Sequence, residues 1–327
     1  MSVALLLAAL AGSDPAHADE VDDLLQIVER GSSGERSRAL ARLGFLGSDR
    51  PVAILSRRLD DADADVRAGA CRDLGDLGRP AATPHLVRAL GDDDPAVRGE
   101  AAVALGAVRD RRAVEPLARV LRDDEPRVRR SATVALGRIG GPATERALST
   151  RALEETDAEV LVAAAEALGR IAGRSALATL RTLAASRDAG VRRAAALALS
   201  PHGGPAALPV LLELLRSDDG PSRSRSALAL AHPAYRASAD RIADLLSDAS
   251  PEARVAAGSA LAAQSDSRGL RFLVAGAHAG PEEIRFACAE ALDRMHVPED
   301  LSDDLMRHLL DFPTTEWDRL AARAGRP

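Results

Sequence analysis

Residues 81–108 read AATPHLVRALGDDDPAVRGEAAVALGAV, and residues 113–139 read AVEPLARVLRDDEPRVRRSATVALGRI. Aligned, the two stretches are one pattern written twice. Each begins with an apolar set at three-to-four spacing: Leu86, Val87 and Leu90 in the first, Leu117, Val120 and Leu121 in the second. That spacing predicts a short amphipathic helix. An acidic turn follows, and then a second helix carrying Val97, Ala101, Ala104, Leu105 and Val108, matched by Val128, Ala132, Ala135, Leu136 and Ile139. Working outward, the leucine of the second helix returns at Leu43, Leu74, Leu105 and Leu136, each 31 residues after the last, then at Leu168 after a step of 32. The step of 31 resumes at Leu199, Leu230, Leu261 and Leu292. A fixed period of this size is the mark of stacked supersecondary units, each burying its apolar face on its neighbours. The chain is therefore expected to be all-α, a right-handed α-solenoid of about nine two-helix repeats over residues 20–297. Residues 1–19 are expected to be an N-terminal cap or signal-like segment, and residues 298–327 a degenerate capping repeat.

The turn has its own chemistry. Asp94 stands at the N-cap with Pro95 at the first helical position, and Glu125–Pro126 repeats the arrangement. Asp63, Asp157, Asp188, Asp219 and Ser250 hold the same place in other copies. A cap oxygen accepts an orphan backbone N–H, and proline has no N–H to lose there. Gly44, Gly75, Gly106, Gly137 and Gly169 follow the repeat leucine and read as stops or tightened exits of the second helix. Seven residues before the leucine stands an arginine: Arg36, Arg67, Arg98, Arg129, Arg192, Arg223, Arg254 and Arg285, with Leu161 as the one departure. Each falls in the first helical turn, where the helix dipole disfavours a cation. The column is read as a structural ladder between repeats, compensated by acids of the turns such as Asp63, Asp94, Asp157, Asp188 and Asp219; direct ligand contact is the other reading.

Composition supports an elongated repeat domain. Of 327 residues one is Trp, one Tyr and four Phe, too few aromatics for one large globular core, whereas alanine and leucine are the best helix formers. The net charge is -6 and every cation is arginine, which argues against the concentrated basic surface that duplex DNA requires. Cys71 and Cys288 lie seven repeats apart and read as small core residues. Val3–Ala11 is a short apolar run, and Ala16-His17-Ala18 fits a small-x-small cleavage pattern, but no basic segment precedes the run. The expected location is the cytoplasm, with export as the alternative. The run is too short to span a bilayer.

The consensus D-x-x-V-R-x-x-A-A-x-A-L-G followed by A-V-x-P-L-x-x-x-L-x-D resembles the HEAT-like repeat of the phycobilin lyase type. The resemblance implies the fold. For function it implies a scaffold in most members and bilin attachment in some. Bilin handling would ask for aromatic contacts that are scarce here. Another helical-repeat family, deoxyhypusine hydroxylase, binds iron through His-Glu pairs, and this chain contains no His-Glu dipeptide. There is likewise no phosphate-binding glycine loop and no H-E-x-x-H. No cofactor and no metal are expected.

Function is thus read as non-catalytic protein binding along the concave face. At roughly 9 Å per helix layer that face is an arc of about 80 Å. The position after the column arginine is a candidate contact, held by Arg130 and Arg193 and, in another copy, by Gly99 beside Glu100. An acidic or mixed-charge segment is the natural ligand. The irregular middle offers a second candidate: Ser200-Pro201-His202-Gly203-Gly204 and His232-Pro233-Ala234-Tyr235 break the repeat, and His202, His232 and Tyr235 there form a candidate polar patch for small-molecule handling. Phe312 and Trp317 read as part of the terminal cap, with an exposed docking anchor as the alternative. The partner is expected to be a protein, nucleic acid is disfavoured, and the chain is expected to be monomeric in isolation.

Overall fold

In the computed structural model residues 15–46 and 49–294 are described. The run Val3–Ala11, the terminal residues Phe312 and Trp317, and the side chain of Arg36 lie outside the described residues. Every element among the described residues is helical. The chain divides into two compact units, Met1–Thr179 and Leu180–Pro327, each a right-handed stack of two-helix repeats.

The first unit contains α1 (Pro15–Arg30), α2 (Ser33–Leu46), α3 (Arg50–Ser56), α4 (Ala64–Leu77), α5 (Thr83–Ala89), α6 (Pro95–Val108), α7 (Val114–Val120), α8 (Pro126–Ile139), α9 (Pro142–Ala152) and α10 (Ala158–Ile171). The division falls within α11 (Arg174–Leu183). The long second helices α4, α6, α8 and α10 pack flank to flank, while the shorter first helices α5 and α7 meet far less. We call this closely packed layer the inner one. Its core is Leu74, Val97, Ala101, Leu105, Ala132, Ala135, Leu136 and Leu168, all fully buried.

The glycines after the repeat leucine act differently from the sequence expectation. Gly75, Gly106 and Gly137 lie inside α4, α6 and α8 and do not end them. A Cβ on Gly106 would stand 2.7 Å from Ala135 Cα, and one on Gly75 2.8 Å from Ala104 Cα. The glycines are points of backbone approach between successive inner helices. The helices end later, on left-handed residues such as Gly78 and Arg109.

The second unit contains α12 (Ala189–Leu199), α13 (Leu208–Leu214), α14 (Gly220–Ala229), α15 (Ala239–Ala243), α16 (Pro251–Ala263), α17 (Ser267–Ala279) and α18 (Glu282–Arg294). Here α14 packs closely on α16, whereas α12 and α14 stand further apart. At the register of the approach glycines α12 is followed by Ser200, which carries a side chain. Cys288 is buried against Ala262, Leu273, Ile284 and Ala291. Cys71 and Cys288 are free thiols, and burial pushes Cys71 up to about 12.

Candidate functional site

The acidic turns show what the arginine column does. Arg67 Nε and Nη2 donate to both carboxylate oxygens of Asp92 at 2.8 Å, and Nη1 donates to the carbonyls of Asp61 and Ala62. Arg98 repeats this with Asp123 and the carbonyls of Asp92 and Asp93. Arg129 does so with Glu155 and the carbonyls of Asp123 and Asp124, and in the second unit Arg223 with Asp248 and the carbonyls of Ser217 and Asp218. One guanidinium therefore clamps its own turn and the next. Arg192 and Arg254 donate to turn carbonyls, and the residues 25 positions on, Ser217 and Ala279, offer no carboxylate. Arg285 reaches the Gly280 carbonyl.

The acid that receives the arginine is not the N-cap acid. Asp63 accepts from Asp65 N, Asp94 from Ala96 N, Asp157 from Glu159 N and Val160 N, Asp188 from Val191 N and Asp219 from Ser222 N. Those oxygens serve their own helix starts. The rung acid sits two residues earlier and also accepts a turn N–H: Asp92 from Asp94, Asp123 from Glu125, Asp248 from Ser250. Glu125 makes no side-chain cap bond. The hydrogen bond from Arg67 lowers the Asp92 carboxyl below its ordinary range, against the opposing effect of burial. At Glu155 burial acts to raise the carboxyl, but hydrogen bonds from Arg129 and the N–H groups of Asp157 and Thr156 outweigh it and hold it at about 2. The signal for these acids was present in the sequence as an Asp or Glu two residues before the cap, about 25 after the arginine.

A second set of ties braces the opposite ends of the repeats. Arg112 donates to Asp110 and to the Pro80 carbonyl, Glu145 accepts from Ser175 N, and Arg268 joins Asp240. The patch around Tyr235 belongs to this set. Tyr235 is 2% exposed and its hydroxyl donates to the Gly204 carbonyl at 3.0 Å. His232 Nδ1 accepts from Ala234 N, and its ring meets Tyr235 edge-on at 6.0 Å. His202 is exposed in the preceding turn. The structure brings His232 and Tyr235 together, Tyr235 buried and His232 half-buried, as a brace across the turn.

The inner face of the first unit is a different surface. Along α8 the residues Arg127, Arg130, Val134 and Arg138 share one side, three arginines exposed and the valine half-buried. These three arginines form no ion pair among the described residues, and neither does Arg193 on α12. On α6 the corresponding side carries Ala96, Gly99, Val103 and Ala107, with Val103 41% exposed. Glu100 accepts from Arg72 Nη2 at 2.8 Å. Between α6 and α8 lies a trough of about 400 Å³, lined by Ala96, Gly99, Val103, Arg127, Val128 and Ser131 together with the acids Asp94, Glu100 and Glu125. Among the described residues no cluster of three or more His, Cys, Asp or Glu side chains is placed to hold a metal ion, and no helix is long and apolar enough to cross a membrane.

Two-helix units stacked through a small-residue inner layer, and pinned at both ends by repeating polar ties, define the α-helical repeat proteins. Within that class, the family model described as HEAT repeats matches residues 21–95, 83–160 and 145–231, and the chain belongs to the HEAT-repeat family. An engineered protein is similar over 93% of this chain and 98% of its own at 23% identity, with a TM-score of 0.51, a likeness of fold. A chain of the complex of CpcE and CpcF of phycocyanin lyase from Nostoc sp. aligns over 74% of this chain and 94% of its own, with 22% identity and a TM-score of 0.48. Human deoxyhypusine hydroxylase in complex with glycerol aligns over 84% and 95%, with 26% identity and a TM-score of 0.33. No curated protein matches the sequence.

Proposed function

We propose that the chain is a non-catalytic protein-interaction module whose inner helix layer receives the partner. One observation carries this reading. The column arginines Arg67, Arg98 and Arg129 are consumed in internal clamps, whereas on the same helix α8 Arg127, Arg130 and Arg138 are exposed and form no ion pair among the described residues, and Arg127 stands at a trough of mixed charge with Asp94, Glu100 and Glu125. The clamps hold that surface in one shape, so binding sacrifices little backbone entropy. At the irregular turns the Tyr235 hydroxyl donates to the Gly204 carbonyl and His232 Nδ1 accepts from Ala234 N, so these two polar atoms are engaged within the chain.

The test is affinity capture with the full chain. Wild type is compared with an inner variant, Arg130→Glu with Arg193→Glu, and an outer variant, Arg119→Glu with Arg146→Glu, all of equal helicity. A captured protein lost by the inner variant alone supports the reading. Loss by the outer variant alone, or three identical profiles, overturns it.

A further inference from the structure

The first helices of the repeats meet less closely than the inner ones, and between α7 and α9 they leave a groove of about 480 Å³. Its least exposed lining residues are Leu121, which is buried, and the half-buried Ala118 and Ala147. They add little bulk, so a ligand backbone can come close. The charges stand around them: Arg119 on α7 and Arg122 just past its end, Arg146 and Arg151 on α9, with Glu115 as the acid of the lining.

The four arginines are not equally available. Arg151 is held in place: Nε donates to the Leu121 carbonyl at 2.8 Å, and the guanidinium lies 3.5 Å from Glu154 and 3.4 Å from Glu155, the clamp acid of Arg129. Arg119 and Arg122 are exposed, and so are their acids, Glu115 at 2.8 Å and Glu154 at 3.6 Å. Exposed pairs of this kind contribute little, and their arginines can turn to an incoming carboxylate at small cost. Arg146 is exposed and forms no ion pair among the described residues. With Glu154 counted, four cations meet two acids. The groove thus keeps a positive excess on a chain whose net charge is -6. Its complement is an anion of about its own length. A longer polyanion such as a nucleic acid would run beyond the groove over a chain that carries its own sign of charge.

In an extended peptide successive side chains point to opposite sides, and every second one repeats at about 6.6 Å. Laid along the groove, such a segment sends residues i and i+2 to the side of Arg119 and Arg122, which are about one helical turn apart, and residue i+1 across to Arg146. Each guanidinium fork takes a carboxylate bidentately, and the long stems absorb the difference in spacing. We infer that the groove between α7 and α9 binds an extended protein segment with three consecutive acidic residues, the outer two on Arg119 and Arg122 and the middle one on Arg146. This surface is separate from the inner layer, and the inference does not rest on the inner-layer reading.

The probes are fluorescein-labelled decapeptides read by anisotropy against the full chain. One carries Gly-Glu-Glu-Glu-Gly at its centre. The others replace the three acids by Lys, replace them by Gln, or separate them by single glycines. A twelve-nucleotide single-stranded oligonucleotide is the fifth probe. The consecutive acids are expected to bind best and to weaken with salt. The double variant Arg119→Ala with Arg146→Ala is expected to lose about tenfold in affinity for them, with unchanged helicity. Arg130→Ala with Arg193→Ala removes the same charge from elsewhere and is expected to keep the affinity, which separates contact from the general field of the chain. Lys, Gln or spaced peptides that bind as tightly as the first, equal affinities in the two double variants, or tighter binding of the oligonucleotide overturns the inference. The capture experiment judges the inner layer separately. A partner lost there by the outer variant alone removes the inner-layer reading and leaves this one. If the inner variant loses its partner while none of the peptides binds, this inference falls and the inner-layer reading stands.

Discussion

Replacing Arg129 by methionine tests whether the turn clamps hold the stack. The guanidinium makes four hydrogen bonds, at 2.9 and 3.0 Å to Glu155 and at 2.8 and 3.0 Å to the carbonyls of Asp123 and Asp124. The two side chains are 12% and 2% exposed. Truncating one partner of a buried pair costs about 3–5 kcal/mol, because a charge is left behind. Here Glu155 retains the N–H groups of Thr156 and Asp157 and a 3.4 Å contact from Arg151. The cost is therefore set below that range, at about 2–3 kcal/mol. The comparison is Arg119→Met, whose partner Glu115 is exposed on the same helix; an exposed pair of this kind is worth under ~0.5 kcal/mol. Stacked repeats need not unfold in one step, so the measurement is hydrogen exchange at the amides of α8 and α10. A loss of about 2–3 kcal/mol is a fall in protection of roughly 30- to 150-fold. The double variant Arg129→Met with Glu155→Met is expected to recover part of it. If Arg129→Met behaves like Arg119→Met, or if the double variant is no better than the single, the clamps do not carry the stability assigned to them.

Four further outcomes follow from the geometry. Gly106→Ala is expected to destabilise by about 1–3 kcal/mol through the clash with Ala135, whereas Gly99→Ala, facing open space, is expected to stabilise by up to ~1 kcal/mol, both read by thermal melting. Asp92, Asp123, Glu155 and Asp248 all have carboxyls held below their ordinary range in the folded chain. Their stabilisation is complete above the ordinary carboxylate range of about 4 and is lost as pH falls through the folded values, so an acid titration followed by circular dichroism should lose helix toward about pH 2, less steeply in Glu155→Gln. Tyr235→Phe is expected to cost about 1 kcal/mol by leaving the Gly204 carbonyl without its donor, with exchange rising locally around Gly203 and peptide binding unchanged. Cys71, its thiol pushed up to about 12 by burial, should resist alkylation at pH 8 until the first unit is unfolded by urea.

The helices and their stacking were legible because the recurrent leucine and the Pro-bearing caps are local signals that repeat. The function of the column arginines was half legible: their dipole mismatch demanded a counter-charge, but Asp92 and Asp94 both qualify in sequence, and only the turn geometry sends the first to Arg67 and the second to its own helix. Gly75 and Gly106 misled for a related reason. Glycine serves helix exits and helix contacts alike, and the choice depends on a neighbour 29 residues away, Ala104 or Ala135. His232 and Tyr235 looked like convergent polar groups, yet Tyr235 is buried with its hydroxyl on Gly204, and the half-buried His232 spends Nδ1 on Ala234 N. The α8 arginines without an ion pair among the described residues were legible only at Arg130. Arg127 and Arg138 stand out once the paired arginines have been subtracted, and pairing is a three-dimensional property.

The step of 32 residues between Leu136 and Leu168 has a consequence for how such an array changes over time. The extra residue lies between Gly140 and Glu155, where α9 runs as one continuous eleven-residue helix, and Arg129 still reaches its carboxylate across 26 positions instead of 25. Alignment of the inner layer is thus dictated from turn to turn and is indifferent to how much chain loops around the outside. Outer segments are free to grow, shrink or acquire grafted sequence, and a tag or reporter inserted in the loop before α9 should leave the opposite face undisturbed.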